Sequence, residues 1–135
     1  YHADMTRSFA TKGFSEEQKS IYDIVLNAQI NSINGIKAGA SCKSIDSIAR
    51  DHITQAGYGK FFDHGLGHSL GLEIHEEPRF SKVSKDILEE NYVMTVEPGI
   101  YVKDIGGVRI EDDIIVTKDG SEILNKTSKE FQVIS

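Results

Sequence analysis

The chain of 135 residues has a single cysteine, only two prolines and no tryptophan. One thiol, Cys42, can form no internal disulfide and fits a reducing compartment, so a cytoplasmic location is expected. It also cannot build a sulfur-rich zinc site, so any metal must be held by His, Asp and Glu. No apolar run approaches the roughly 20 residues that a membrane-spanning helix needs, and no signal-peptide pattern is visible. Positive charge is short as well: 15 Lys and Arg stand against 21 Asp and Glu, a net charge of −6 with histidine neutral. That balance argues against nucleic acid or an anionic membrane surface as a partner. With 12 glycines, 39% hydrophobic and 27% charged residues, the composition is globular and excludes disorder and collagen-like repeats. Residues 1–135 are read as one domain with a core of its own.

No repeat, linker or low-complexity segment interrupts the chain. Tyr1–Ala10 reads as a strand end or an extended arm. Ser15-Glu16-Glu17-Gln18 has the capping-box pattern, and Tyr22, Val25, Leu26, Ile33 and Ile36 follow at helical spacing. A helix is therefore expected over about Glu16–Ile36. A second is expected over about Cys42–Ala56, with Ile45, Ile48, Ala49 and Ala56 on its stripe and Gly57 as its C-terminal cap. Beyond Tyr58 the texture becomes β-branched and glycine-rich. Tyr92–Tyr101 reads as a strand broken at Pro98-Gly99. Val108–Thr117 and Glu122–Leu124 flank Lys118-Asp119-Gly120-Ser121, a hairpin signal. Helices followed by antiparallel strands imply an α+β fold.

Three patterns could carry chemistry. The run from His64 to Pro78 holds His64, His68 and His75, three of the five histidines, within 12 residues and among three glycines. Imidazole ligates metals and shuttles protons near neutral pH, and the glycines allow close backbone approach; the bland reading is a glycine-rich loop with satisfied or solvent-facing histidines. In Thr95-Val96-Glu97-Pro98-Gly99, Glu97 is a partner-held carboxylate, a ligand or an exposed edge. In Val108–Val116, strand alternation puts Arg109, Glu111 and Asp113 on one face, and Val108, Ile110 and Asp112 on the other. Arg109 and Glu111 could be a plain ion pair. Three acids in an apolar strand nevertheless require a compensating cation, whether Arg109, a metal or both. With Asp4 added, these residues form an oxygen-rich ligand set containing nitrogen, suited to Mn, Co, Fe or Zn in a hydrolytic site.

Taken in order, Asp4-Met5-Thr6-Arg7-Ser8-Phe9, the His64–Pro78 block, Thr95–Tyr101 and Gly106–Asp113 resemble the pita-bread metallopeptidases. Those are the Xaa-Pro dipeptidases (prolidases), Xaa-Pro aminopeptidases and methionine aminopeptidases. The long form of the histidine block is similar to the proline-specific branch; methionine aminopeptidases have a shorter spacing there. The resemblance implies a pita-bread half-domain, with two helices packed on a curved antiparallel sheet. It implies Asp4, His68, Glu97 and Glu111 as metal ligands, with Asp4 and Glu111 bridging two ions. It implies His64 and His75 as catalytic residues contacting substrate and moving protons, and Arg109 as the partner that orients carboxylates. The implied reaction is hydrolysis of the bond preceding proline by a hydroxide bridging the metals, with Mn favoured and Co, Zn or Fe also suited. Xaa-Pro peptides are the implied substrates, and the full-length form is expected to be a homodimer. A methionine aminopeptidase-type enzyme and a non-catalytic peptide- or protein-binding module of the same fold are the alternatives.

A fifth ligand in that family, an Asp about 11 residues before the position of Asp4, has no counterpart here. The chain is thus expected to be the C-terminal part of a catalytic domain shortened at its N-terminus. It should bind at most one divalent ion well, have little or no activity alone, and associate through apolar surface that the missing half would cover. Without metal, Asp4, Glu97 and Glu111 should converge as like charges, so that one of them holds a proton or attracts a cation. The remaining suspects take bland readings: Cys42 structural or exposed, His52 at the core boundary, His2 exposed, Glu73, Glu76 and Glu77 solvated, Tyr101 and Phe80 packing residues.

Overall fold

A computed structural model describes residues 1–135. Helix α1 spans Glu16–Gly35 and α2 spans Cys42–Gln55, within a residue of both expected ends. The capping box forms: the Ser15 hydroxyl accepts from the Gln18 amide at 3.1 Å, and the Gln18 side chain accepts from the Ser15 amide at 2.9 Å. Helix α2 ends as the sequence indicates. Gly57 takes φ +92°, and the Tyr58 amide reaches back to the Ile53 carbonyl, closing a Schellman turn. The stripe of α2 differs at its end. Ile53 is buried in place of Ala56, which lies exposed beyond the last turn. His52 is half-buried, at the core boundary.

The strands are β1 (Ala10–Thr11), β2 (Gly67–Ser69), β3 (Glu76–Phe80), β4 (Val93–Val96), β5 (Gly99–Val102), β6 (Gly106–Arg109), β7 (Asp112–Val116), β8 (Ser121–Ile123) and β9 (Val133–Ile134). An antiparallel sheet runs in the order β3-β2-β4-β7-β8, β5 and β6 form a separate hairpin, and β1 pairs with β9 in parallel. Helix α1 packs on β4, β5 and β6, and α2 packs on α1 and β3. Twenty buried apolar residues, among them Tyr22, Phe62, Phe80, Met94 and Ile114, form one core between helices and sheet. No helix is long and apolar enough to cross a membrane.

Two expectations need correcting. The glycine-rich histidine block contains two strands, β2 and β3. Gly67 has no room for a side chain, because a Cβ there would lie 2.0 Å from the Thr95 carbonyl oxygen. And Val108–Thr117 is two strands rather than one, since the chain breaks at Ile110-Glu111 between β6 and β7. The alternation of faces therefore fails: Ile110, Glu111, Asp112, Asp113 and Ile114 are all buried. The Lys118–Ser121 hairpin forms as expected, with Val116 opposite Ser121.

Candidate metal centre

Strands β4 and β5 are broken at Glu97-Pro98, and β6 and β7 at Ile110-Glu111. The register continues through both breaks, with Val96 opposite Asp112 below and Gly99 opposite Arg109 above. One long hairpin therefore kinks at a single level, and Glu97 and Glu111 are the acids at the kink. Each is fixed by its backbone. The Glu97 amide donates to the Leu66 carbonyl at 2.8 Å, while Glu111 pairs with Thr6 of the N-terminal arm in an isolated bridge. That arm brings in Asp4, whose amide donates to Asp113 Oδ2 at 3.0 Å.

His68, on β2, stands at the centre. Its Nδ1 bonds the Ser69 carbonyl at 2.9 Å, which turns Nε2 toward the acids. Nε2 lies 3.1 Å from Glu97 Oε1 and 3.9 Å from Asp4 Oδ2. Ligand atoms of His68, Glu97 and Glu111 lie within 4.8 Å of one another, as do those of Asp4, His68 and His75. His68 is the shared corner of the two sets. His75 is exposed, its ring 4.4 Å from that of His68, and so stands at ligand distance as well as beside the opening.

His64, His68, His75, Arg79 and Glu97 line a cavity of 240 Å³. His64 Nε2 bonds the Tyr101 hydroxyl at 2.8 Å, and Arg109 donates to the same hydroxyl at 3.4 Å. Arg109 also donates to Thr6 Oγ1 at 3.2 Å and has its Nε 3.7 Å from Glu111 Oε2. Tyr101 is thus a member of the site, not the packing residue expected, because β5 is turned by the kink toward His64. Behind His64, Asp46 and Arg50 of α2 form a two-pronged ion pair at 2.8 and 3.0 Å. The same pair grips the loop before β2 at three backbone points: Arg50 on the Phe62 and His64 carbonyls, Asp46 on the Leu66 amide.

The three consecutive acids separate by partner. Asp112 is fully buried and neutralised by Arg7 at 2.6 Å and Lys129 at 3.2 Å, with the Gln29 amide at 3.1 Å. Neither cation is the Arg109 that the sequence pointed to. Glu111 has only Arg109, at 3.7 Å, as the sequence allowed, and Asp113 has no cation partner; each has one buried carboxylate oxygen with no hydrogen-bond partner. Burial pushes Glu111 up to about 7, against a hydrogen bond from Thr6 and with help from the charges of Glu97 and Asp4. Burial likewise raises Asp113. For Glu97, burial opposes ionisation, but hydrogen bonds from His68 and Thr95 outweigh it and hold the carboxyl below its ordinary value. His68 shows the complement: burial favours the neutral ring, while the hydrogen bond and charge of Glu97, the Ser69 carbonyl and Asp4 raise it.

Three carboxylates around one imidazole, with an orphaned buried oxygen on Glu111, are a donor set that fits a divalent cation. The fit supports Asp4, His68, Glu97 and Glu111 as the residues that would hold one.

Residues 1–118 match the model of metallopeptidase family M24. A relative named Xaa-Pro dipeptidase, from Pyrococcus horikoshii, is 50% identical over 131 residues, covering 97% of this chain and 37% of that protein. The solved structure of an Xaa-Pro dipeptidase from Bacillus anthracis superposes with a TM-score of 0.96 at 50% identity, covering 98% of this chain and 37% of that one. That of an X-Pro aminopeptidase from Thermotoga maritima does so with a TM-score of 0.94 at 44% identity, covering 98% and 38%. The chain therefore spans just over a third of the length of the proteins it matches. The α+β fold, two helices with antiparallel sheets, is that of these pita-bread structures. By the family model and by these identities, the chain belongs to metallopeptidase family M24.

Proposed function

We propose that this chain is the C-terminal part of the catalytic domain of a proline-specific M24 peptidase, which hydrolyses the bond preceding proline. The observation that carries the reading is His68, which faces Glu97 at 3.1 Å and Asp4 at 3.9 Å, with Glu111 completing the set. Relatives named Xaa-Pro dipeptidase and X-Pro aminopeptidase support the proline-specific branch over the methionine aminopeptidase type.

In this reading a bound divalent cation, with Mn favoured, supplies Lewis acidity that polarises the scissile carbonyl and lowers the pKa of water. Asp4, His68, Glu97 and Glu111 hold it. His64 and His75, on the rim of the cavity, contact the substrate carbonyl and stabilise its developing negative charge. The Tyr101 hydroxyl, hydrogen-bonded to Nε2, orients the His64 ring, and Arg109 keeps Glu111 directed inward through Thr6. The protein acts in the cytoplasm on Xaa-Pro peptides and, at full length, as a homodimer.

This chain by itself provides the four ligands of one ion and not the fifth carboxylate that a second ion requires. It therefore binds one ion and turns over little substrate. The test is calorimetric titration with Mn(II), paired with hydrolysis assays on Met-Pro and Met-Ala-Ser in the protein that carries this segment within its whole catalytic domain. Cleavage of Met-Pro, lost on Glu111→Gln, is expected. Cleavage of Met-Ala-Ser alone would overturn the proline-specific reading, and two tight Mn(II) sites in the isolated chain would overturn the one-ion reading.

A further inference from the structure

Arg7 lies three residues beyond Asp4 on the N-terminal arm and touches neither the cavity nor the ligand atoms. All five of its N–H donors are engaged. Nη1 donates to the carbonyls of Thr6 at 2.9 Å and Glu111 at 2.7 Å. Nη2 donates to Asp112 Oδ1 at 2.6 Å and to the Thr127 carbonyl at 2.8 Å. Nε donates to the Ser128 carbonyl at 3.0 Å. One guanidinium thus joins the arm, the ligand strand and the C-terminal tail. The tail closes the arrangement from the other side: Lys129 Nζ reaches Asp112 Oδ2 at 3.2 Å and Gln29 Oε1 at 3.0 Å, and the Tyr22 hydroxyl donates to the Lys129 carbonyl.

We infer that Arg7 is a positioning residue for the cation site, locking the Thr6–Glu111 bridge and coupling the Thr127–Lys129 tail to the metal ligands. The inference rests on the proposed cation site. Its physical basis is the geometry of the two segments that meet at that bridge. Asp4 and Glu111 come from opposite ends of the chain, and the Thr6–Glu111 bridge, the Asp4–Asp113 bond and the side chains of Thr6 and Ser8, bonded to Glu111 and Arg109, fix one segment against the other. A planar fork with five fixed donors satisfies carbonyls on both sides of that bridge at once; a lysine, with one rotatable ammonium, cannot. Coupling is reciprocal, so an ion that orders Glu111 must also tighten the tail.

The test uses the whole chain, with Mn(II) as the probe. Arg7→Lys preserves charge and is checked for folding by far-UV circular dichroism. The expected result is a Kd for Mn(II) at least fivefold weaker in the folded variant. In the wild type, Mn(II) is expected to slow tryptic cutting after Lys126 and Lys129 at least threefold, a measurement that decides the matter even if Arg7→Lys does not fold. A smaller change in a folded variant, or a tail cut at the same rate with and without Mn(II), overturns the inference. A purely structural Arg7 would lower the unfolding midpoint without altering either readout. Failure of the wild type to bind Mn(II) would instead overturn the cation-site reading itself.

Discussion

His68 and Glu97 approach to 3.1 Å across the sheet, Nε2 to Oε1, and Thr95 ties them together a second time. The Thr95 hydroxyl accepts from the His68 amide at 3.0 Å and donates to Glu97 Oε1 at 2.9 Å. A buried imidazole and a half-buried carboxylate are thereby set in place by the Ser69 carbonyl and Thr95, the arrangement a metal site needs for rigidity.

Gly67 makes that approach possible. Gly67→Ala should destabilise the chain by about 3 kcal/mol, the upper end of overpacking costs, because the new Cβ meets backbone rather than a movable side chain. Urea unfolding of the two proteins measures the difference. A loss under about 1 kcal/mol would mean that β2 and β4 can separate freely.

Glu111 makes metal-free stability depend on pH. Its folded pKa, about 7, lies above the ordinary 4.5. The stabilisation is therefore fully present below about pH 4.5 and is lost as pH rises through about 7. Relative to Glu111→Gln, the wild type should lose up to about 3 kcal/mol between pH 4.5 and 8. Urea unfolding of both proteins with chelator across that range tests it; a constant difference between them would contradict the assignment.

Asp46 and Arg50 should support the loop that carries His64. Asp46→Asn leaves Arg50 buried with a carbonyl-rich loop but no counter-charge, and should cost about 3–5 kcal/mol. The His64 ring resonances should broaden in the same variant. Unchanged stability and unchanged resonances would show that the loop holds itself.

Cys42 is fully buried, and burial, with the nearby charge of Asp86, pushes its thiol up to about 11. It should react with a disulfide reagent at least a hundredfold more slowly in the native chain than in urea. Rapid native labelling would place α2 in frequent local opening.

Both helices were legible in the sequence because their signals are local: a capping box, a periodic stripe, a glycine at a left-handed turn. Strands β2 and β3 were not, because Gly65, Gly67 and Gly71 interrupt any alternation, and Gly65 and Gly67 are there for close backbone packing. The break at Ile110-Glu111 was hidden because no proline or glycine marks it and β-branched residues stand on both sides. The acids and histidines of the site were readable as a set. Their supports, Arg7, Lys129, Asp46 and Tyr101, were not, since most of their partners lie far off in sequence and are joined only by the fold. Arg109 was the nearest cation in the sequence to the buried acids, yet Asp112 takes its counter-charges from Arg7 and Lys129, both remote in sequence.

The central claim is that Asp4, His68, Glu97 and Glu111 hold one divalent ion. Elemental analysis after incubation with Mn(II) and desalting, with Glu111→Gln alongside, tests it most directly. The account predicts one Mn per wild-type chain and none in the variant. No Mn in the wild type, or the same Mn content in both, would contradict it.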